Sequence, residues 1–318
     1  MNKHNIFITM IFLMIGSALS GQQDAQFTQF IFNKLAYNPA YAGSQGGPAF
    51  TALHRKQWAG LEGAPSTQSV NFHLPVLDDR VGIGLSILSD KIGPTNSFAI
   101  GMSYSYRMEL EEGVLSIGIK GSLRKYQVDW DNAITTHLND ALIDSPSNSK
   151  FLPNVGVGIY YETPTFYIGL SAPNIYEGDI SLLDEFVNNF RITSLEKVHF
   201  YAMGSFLFDL TENVKLKPAI LFKYVQNAPL DMDINISAIL SNKIWVGVSY
   251  RLGGSTAQGI GESIDYILQY QFNDSFRAGM AFDFTLSELE KYSSGTYELL
   301  GSYYFSKKRE KATNPRYF

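Results

Sequence analysis

Chemistry, where a protein does any, starts from side chains that can donate, accept or ligate. Beyond the first few residues the histidines are His54, His73, His137 and His199, spread along the chain without a metal-ligand spacing such as H-E-x-x-H. The absence of Cys rules out disulfides, thiolate metal sites, Cys nucleophiles and an N-terminal lipid-modified Cys. A Ser, His and carboxylate set for lipid hydrolysis is recognised by geometry and not by order, and no nucleophile motif singles one out. Acidic residues gather at Asp129, Asp131, Asp140 and Asp144, and again at Glu177, Asp179, Asp184 and Glu185. Oxygen ligands there could hold Ca²⁺, but the spaced Asp/Asn–Gly–Glu pattern of a dedicated loop is missing, and solvated acidic loops are the plainer reading. No strand–turn–helix frames a G-x-G-x-x-G, so nucleotide binding is not expected. The residues thus predict no enzyme, no cofactor and no resident metal.

The elements that would position any site must be strands. Over 97–110, SFAIGMSYSYRMEL, the even positions from Phe98 to Leu110 are apolar or aromatic. The odd positions, Ser97 to Glu109, are small or polar. Side chains alternate across a β-strand, so this stretch has one wholly apolar face. The pattern recurs from Val81 to Phe305, with weaker strands near 49–58 and 66–74, giving about fourteen strands, an even number as single-chain bacterial barrels require. The apolar faces carry no Asp, Glu, Lys or Arg. Arg107, Lys120, Arg124, Lys217, Lys223, Asp233, Arg251, Asp265, Arg277 and Glu298 all fall on the opposite faces. A charge facing lipid near the midplane costs about 2–4 kcal/mol, and little in a lumen. On this reading Met102→Arg impairs insertion while Ser103→Arg is accepted. Pro218 lacks an N–H in a sheet with no free edge, which predicts a local bulge.

Short polar turns at 78–80, 111–113, 162–164, 211–213, 241–243 and 273–275 alternate with longer connections at 59–65, 89–96, 129–152, 173–196, 226–229, 253–262 and 285–295. That parity belongs to an up-and-down barrel with tight periplasmic turns and larger extracellular loops, not to a Greek-key sandwich. Charged residues make up only 17% of the chain and aromatics 14%, and a net charge of −5 gives no reason to expect a nucleic-acid partner. The expected fold is all-β: a transmembrane antiparallel barrel whose apolar stripe meets outer-membrane lipid.

Residues 1–20 read as a cleavable signal peptide. Lys3 supplies the positive start, Ile6 to Ile15 the apolar core, and Ala18 and Ser20 the small residues before Gly21. Four regions follow: 1–20 leader, 21–48 an N-terminal plug segment, 49–306 the barrel, and 307–318 a basic periplasmic tail. Residues 22–48 break the strand pattern. Asn38-Pro39 with Gly43 reads as an N-cap, a Pro in the first helical position and a Gly stop around one short turn. Phe27, Phe30, Ile31, Phe32 and Leu35 are too apolar for a solvated linker. A barrel of this size encloses space that its own side chains do not fill, so this segment is expected in the lumen or periplasmic mouth as a plug.

These residues also carry a resemblance. The run from Asp24 to Phe30, then Asn33 and Asn38-Pro39-Ala40-Tyr41-Ala42-Gly43, resembles the N-terminal signature of the PorP/SprF family of type IX secretion outer-membrane proteins. The likeness continues through Arg55 to Pro65, Ser89 to Pro94, Phe166 to Ser171 and the tail Asn314 to Phe318; Ala25 and Phe30 depart from the family's usual Pro and Tyr. The resemblance implies an outer-membrane barrel that anchors or supports export of a large surface adhesin by binding its C-terminal signal domain. It also implies contact with periplasmic type IX secretion and gliding components. Candidate contacts at the extracellular loops are Arg55, Gln57, Trp58, Asp90 and Lys91, Trp58 being either a partner anchor or a membrane-interface residue. The alternative is a passive outer-membrane channel for small solutes, lined by Arg107, Lys120, Arg124, Lys217 and Lys223.

Overall fold

The computed structural model describes residues 24–129, 149–179, 186–187, 190–191, 196–226, 228–253 and 261–305. The leader, His137, Asp131, Asp140, Asp144, Asp184, Glu185 and the basic tail therefore lie outside the described residues.

Period-2 alternation becomes a closed antiparallel sheet. Its strands are β1 (Ala49–Lys56), β2 (Ser66–Val76), β3 (Val81–Ile92), β4 (Thr95–Glu109), β5 (Val114–Val128), β6 (Ser149–Glu162) and β7 (Phe166–Ala172). The second half adds β8 (His199–Phe206 with Phe208–Thr211), β9 (Val214–Val225), β10 (Asp231–Leu240), β11 (Ile244–Leu252), β12 (Ser263–Gln271), β13 (Phe276–Thr285) and β14 (Thr296–Tyr304). Each strand pairs with the next, and β14 pairs back to β1 from Ala49↔Tyr304 to Lys56↔Tyr297. Closure leaves no free edge, the condition for strands to cross lipid. A separate hairpin pairs 186–187 with 190–191.

The facing agrees with the alternation. Met102, Tyr104, Ile119, Val155, Leu170, Val248, Tyr266, Met280 and Leu299 lie open on the outside, while Ser105, Asp233, Arg251, Asp265 and Glu298 are buried on the inside. Met102 at 65% exposure beside Ser103 at 4% is the clearest neighbouring pair. That pair also overturns one expectation. Ser103 faces inward, but the inside is packed, so an arginine there meets protein and not an aqueous lumen.

Two further readings change. β3 and β4 meet in a two-residue Gly93-Pro94 turn with Gly93 at φ +55, so this loop-side connection is as tight as any on the turn side. A positive-φ Gly followed by a fixed-φ Pro suits a type II′ hairpin, which lets both strands continue to the tip. The bulge expected at Pro218 is also absent. The β8–β9 register is unchanged from Ser205↔Ala219 to Phe208↔Leu216, and the ladder merely lapses at Phe206, opposite Pro218, and at Leu207. Ser205 Oγ donates to the Pro218 carbonyl at 2.7 Å, and the register shift falls instead between Asp209 and Thr211.

Candidate functional site

Residues 24–48 form a strap inside the barrel. Their polar partners come from strands all round the wall: Asn71 and His73 of β2, Arg107 of β4, Ser171 of β7, Asp231 of β10, Asp283 of β13 and Glu298 of β14. Only a segment in the lumen can reach all of them. Phe27, Phe30, Ile31, Leu35, Tyr37 and Ala40 are buried with Tyr160, Tyr167, Tyr201, Leu221, Ile239 and Trp245 from the wall, making the apolar core that a bare barrel lacks.

The NPAYAG block has a seat shaped for it. Asn38 caps a single 3-10 turn, Pro39–Tyr41, by accepting from the Ala40 N–H at 2.9 Å, with Pro39 in the first position where no N–H is needed. Gly43 then takes φ +79, where a Cβ would be strained and would also lie 2.7 Å from the Gly82 backbone. The wall beneath consists of inward-facing glycines. A Cβ on Gly82 would lie 1.9 Å from the Ala42 carbonyl oxygen, one on Gly118 2.3 Å from the Ala40 nitrogen, and one on Gly158 2.1 Å from Asn38 Oδ1. Hydrogen bonds lock the block down: Ser105 Oγ donates to the Ala42 carbonyl at 2.7 Å and Arg107 to the Gly43 carbonyl at 2.8 Å, while Asn38 Nδ2 donates to the Ile159 carbonyl at 3.0 Å. Asn33 accepts from Asn71 and donates to Ser69. Tyr41 packs edge-on to His73 and Tyr160, and Lys34 places its ammonium 4.5 Å from the Tyr41 ring and 4.3 Å from the Tyr167 ring.

The other anchor is ionic. Glu298 accepts from the backbone N–H groups of Thr28 at 3.0 Å and Gln29 at 2.8 Å, and also holds Arg55 at 3.1 Å. Asp283 binds Arg55 at 2.8 Å and accepts from Thr28 Oγ1 at 2.7 Å. Arg251 reaches Asp233 at 2.8 Å, and Lys223 bridges Asp233, Asp231 and the Gln26 side chain. Near the loop end Arg124 sits between Asp24 at 3.0 Å and Glu196 at 2.8 Å. Burial raises the Asp24 carboxyl, but Arg124 and then His199 outweigh it and hold the group down at about 2. Burial dominates at Glu196, pushing its carboxyl up against the pull of Arg124.

The sequence-proposed contacts separate on the structure. Arg55 is 2% exposed, committed to Asp283, Glu298 and Thr28, and belongs to the strap's anchor instead of the surface. Asp90 and Lys91 are strand residues on the β3–β4 hairpin and point to opposite faces, Asp90 inward where it accepts from Thr67 Oγ1 at 2.6 Å. Gln57 and Trp58 open the loop after β1, with the Gln57 N–H donating to Pro65 and the Trp58 N–H to Thr296 Oγ1. That loop is held between its neighbours: Gly93 N–H donates to the Gly63 carbonyl at 2.8 Å, and Ala59 exchanges backbone bonds with Ser294 and Gly295. Loops 57–65, 93–94 and 286–295 thus form one connected rim. Of the cations proposed to line a channel, Arg107, Arg124 and Lys223 are each within 3.3 Å of a carboxylate. The cavities beside the strap hold about 20–60 Å³, room for a few waters.

A family model, the type IX secretion system membrane protein PorP/SprF, matches residues 19–303, nearly the whole chain. The chain belongs to the PorP/SprF family. It is a type IX secretion barrel of the outer membrane. No curated protein matches it. Among solved structures, the Acinetobacter baumannii outer membrane protein Omp33 is 10% identical over 81% of this chain and 98% of its own, with a TM-score of 0.47. The P. putida toluene transporter TodX is 9% identical over 86% and 94%, TM-score 0.47. The CymD monoaromatic hydrocarbon channel is 11% identical over 89% and 94%, TM-score 0.48.

Sequence reasoning missed what pins the strap. Asp231, Asp283, Gln269, which donates to the Gln29 side chain, and the glycine seat were not singled out, although inward-facing glycines on β3, β5 and β6 were a readable signal that another backbone approaches closely.

Proposed function

We propose that this PorP/SprF barrel anchors, or supports the export of, a large secreted adhesin by binding its C-terminal signal domain at the loop rim. The observation that carries the reading is the filled lumen. Residues 24–48 pack against the inner wall, and this supports the rim of loops as the surface for a large partner on the outside. Gln57, Trp58 and Lys91 are the contacts we retain there, with Asp90 at the inner edge. Periplasmic components of the same secretion system would meet the opposite end, at the short turns.

Co-purification tests this directly. The intact barrel in detergent is expected to retain an adhesin C-terminal domain, and joint replacement of Gln57, Trp58, Asp90 and Lys91 by Ala is expected to weaken retention at least about tenfold, the loss of one or two rim anchors. Undiminished retention by the fourfold variant overturns the rim assignment. The competing reading is a passive channel, which planar-bilayer conductance of the purified barrel decides.

A further inference from the structure

Depth along the barrel axis orders the strap. Asp24, its first described residue, donates its N–H to His199 at the loop-side start of β8 and pairs with Arg124 near the loop-side end of β5. Thr28 and Gln29 meet Glu298 near the loop-side start of β14. Phe32 packs on Trp245 and Arg277, at the turn-side starts of β11 and β13. Gly43 meets Arg107 at the turn-side end of β4, and the Pro48 carbonyl accepts from Phe305 where β1 begins. The chain therefore descends from loop rim to turn side before β1 climbs back.

We propose that the strap enters the lumen from the loop side, so that Asp24 lies at the cell-surface mouth although the barrel's first strand starts in the periplasm. This rests on the outer-membrane orientation with short turns inward.

Two epitope-tagged full-length proteins test the topology. An acidic octapeptide inserted after Gln22 is expected to bind antibody on intact cells. The same octapeptide in the 241–243 turn is expected to bind only after the outer membrane is permeabilised. An amino-terminal tag that stays hidden on intact cells, with the turn tag behaving as expected, overturns the proposal. Turn-tag staining on intact cells overturns it at the orientation step instead. Should the tagged strap fail to fold, Gln23→Cys in this cysteine-free chain is read with a 5-kDa maleimide polymer, labelling from outside supporting the topology and protection refuting it.

Discussion

Glu298→Ala removes the acceptor that fastens the strap near its start. Glu298 is fully buried, and its two oxygens take the N–H groups of Thr28 and Gln29 as well as Arg55. Alanine orphans two buried backbone donors at about 1–3 kcal/mol each. Arg55 keeps Asp283 at 2.8 Å and Thr28 Oγ1 at 2.8 Å, so the loss stays short of the figure for a stripped buried charge. The strap should be weakened by about 2–6 kcal/mol, which raises its released population at least about thirtyfold. Glu298→Gln keeps one acceptor and should lie about midway. Limited trypsin digestion of the protein in lipid vesicles reads the effect, because Lys34 is 2% exposed and sealed among tyrosines. Cleavage after Lys34 should be fastest in Glu298→Ala, intermediate in Glu298→Gln and slowest in the parent. Equal protection of Lys34 in all three would refute the anchoring role given to Glu298.

Gly118→Val places a side chain where Ala40 N would lie 2.3 Å from its Cβ, so strap and wall cannot both keep their positions. Overpacking of about 1–3 kcal/mol or more should appear as a lower urea midpoint in vesicles. Met102→Arg should cost about 2–4 kcal/mol at mid-strand and reduce the folded fraction on unheated gels. Ser103→Arg should also be damaging, since its site is packed, whereas a lumen open to water would accept it. Asp24 ionises in place with its carboxyl held at about 2 against an ordinary 3.8, which contributes about 2 kcal/mol at neutral pH. A depressed carboxylate stabilises above its unfolded value, so strap protection should persist near neutrality and be lost as pH falls from about 4 through 2. Asp24→Asn should shrink the fall in urea midpoint between pH 4 and 2, measured in vesicles by intrinsic fluorescence.

The strands were legible because lipid enforces a one-sided rule: Met102, Tyr104 and Tyr106 cannot be exchanged for charges, so alternation survives in the sequence. That residues 22–48 are no strand and no solvated linker was legible from their apolar residues, and the short turn from Asn38, Pro39 and Gly43. Individual contacts were not. Arg55 sits two residues before the loop and reads as exposed from sequence alone, but strand parity turns it inward onto Asp283 and Glu298, partners that lie far away in the chain. The Gly93-Pro94 turn was hidden because Ser89, Asp90 and Lys91 look like loop residues while they extend a hairpin. Ser103 was misjudged because facing alone does not tell a wet lumen from one filled by the strap.

Planar-bilayer recording of the purified full-length barrel tests the filled lumen most directly. The parent protein is expected to give no stable conductance steps, and Glu298→Ala to give intermittent openings as its strap leaves. Steady open-pore conductance from the parent, with Lys34 still protected from trypsin, would contradict the closed-lumen account and favour a solute channel.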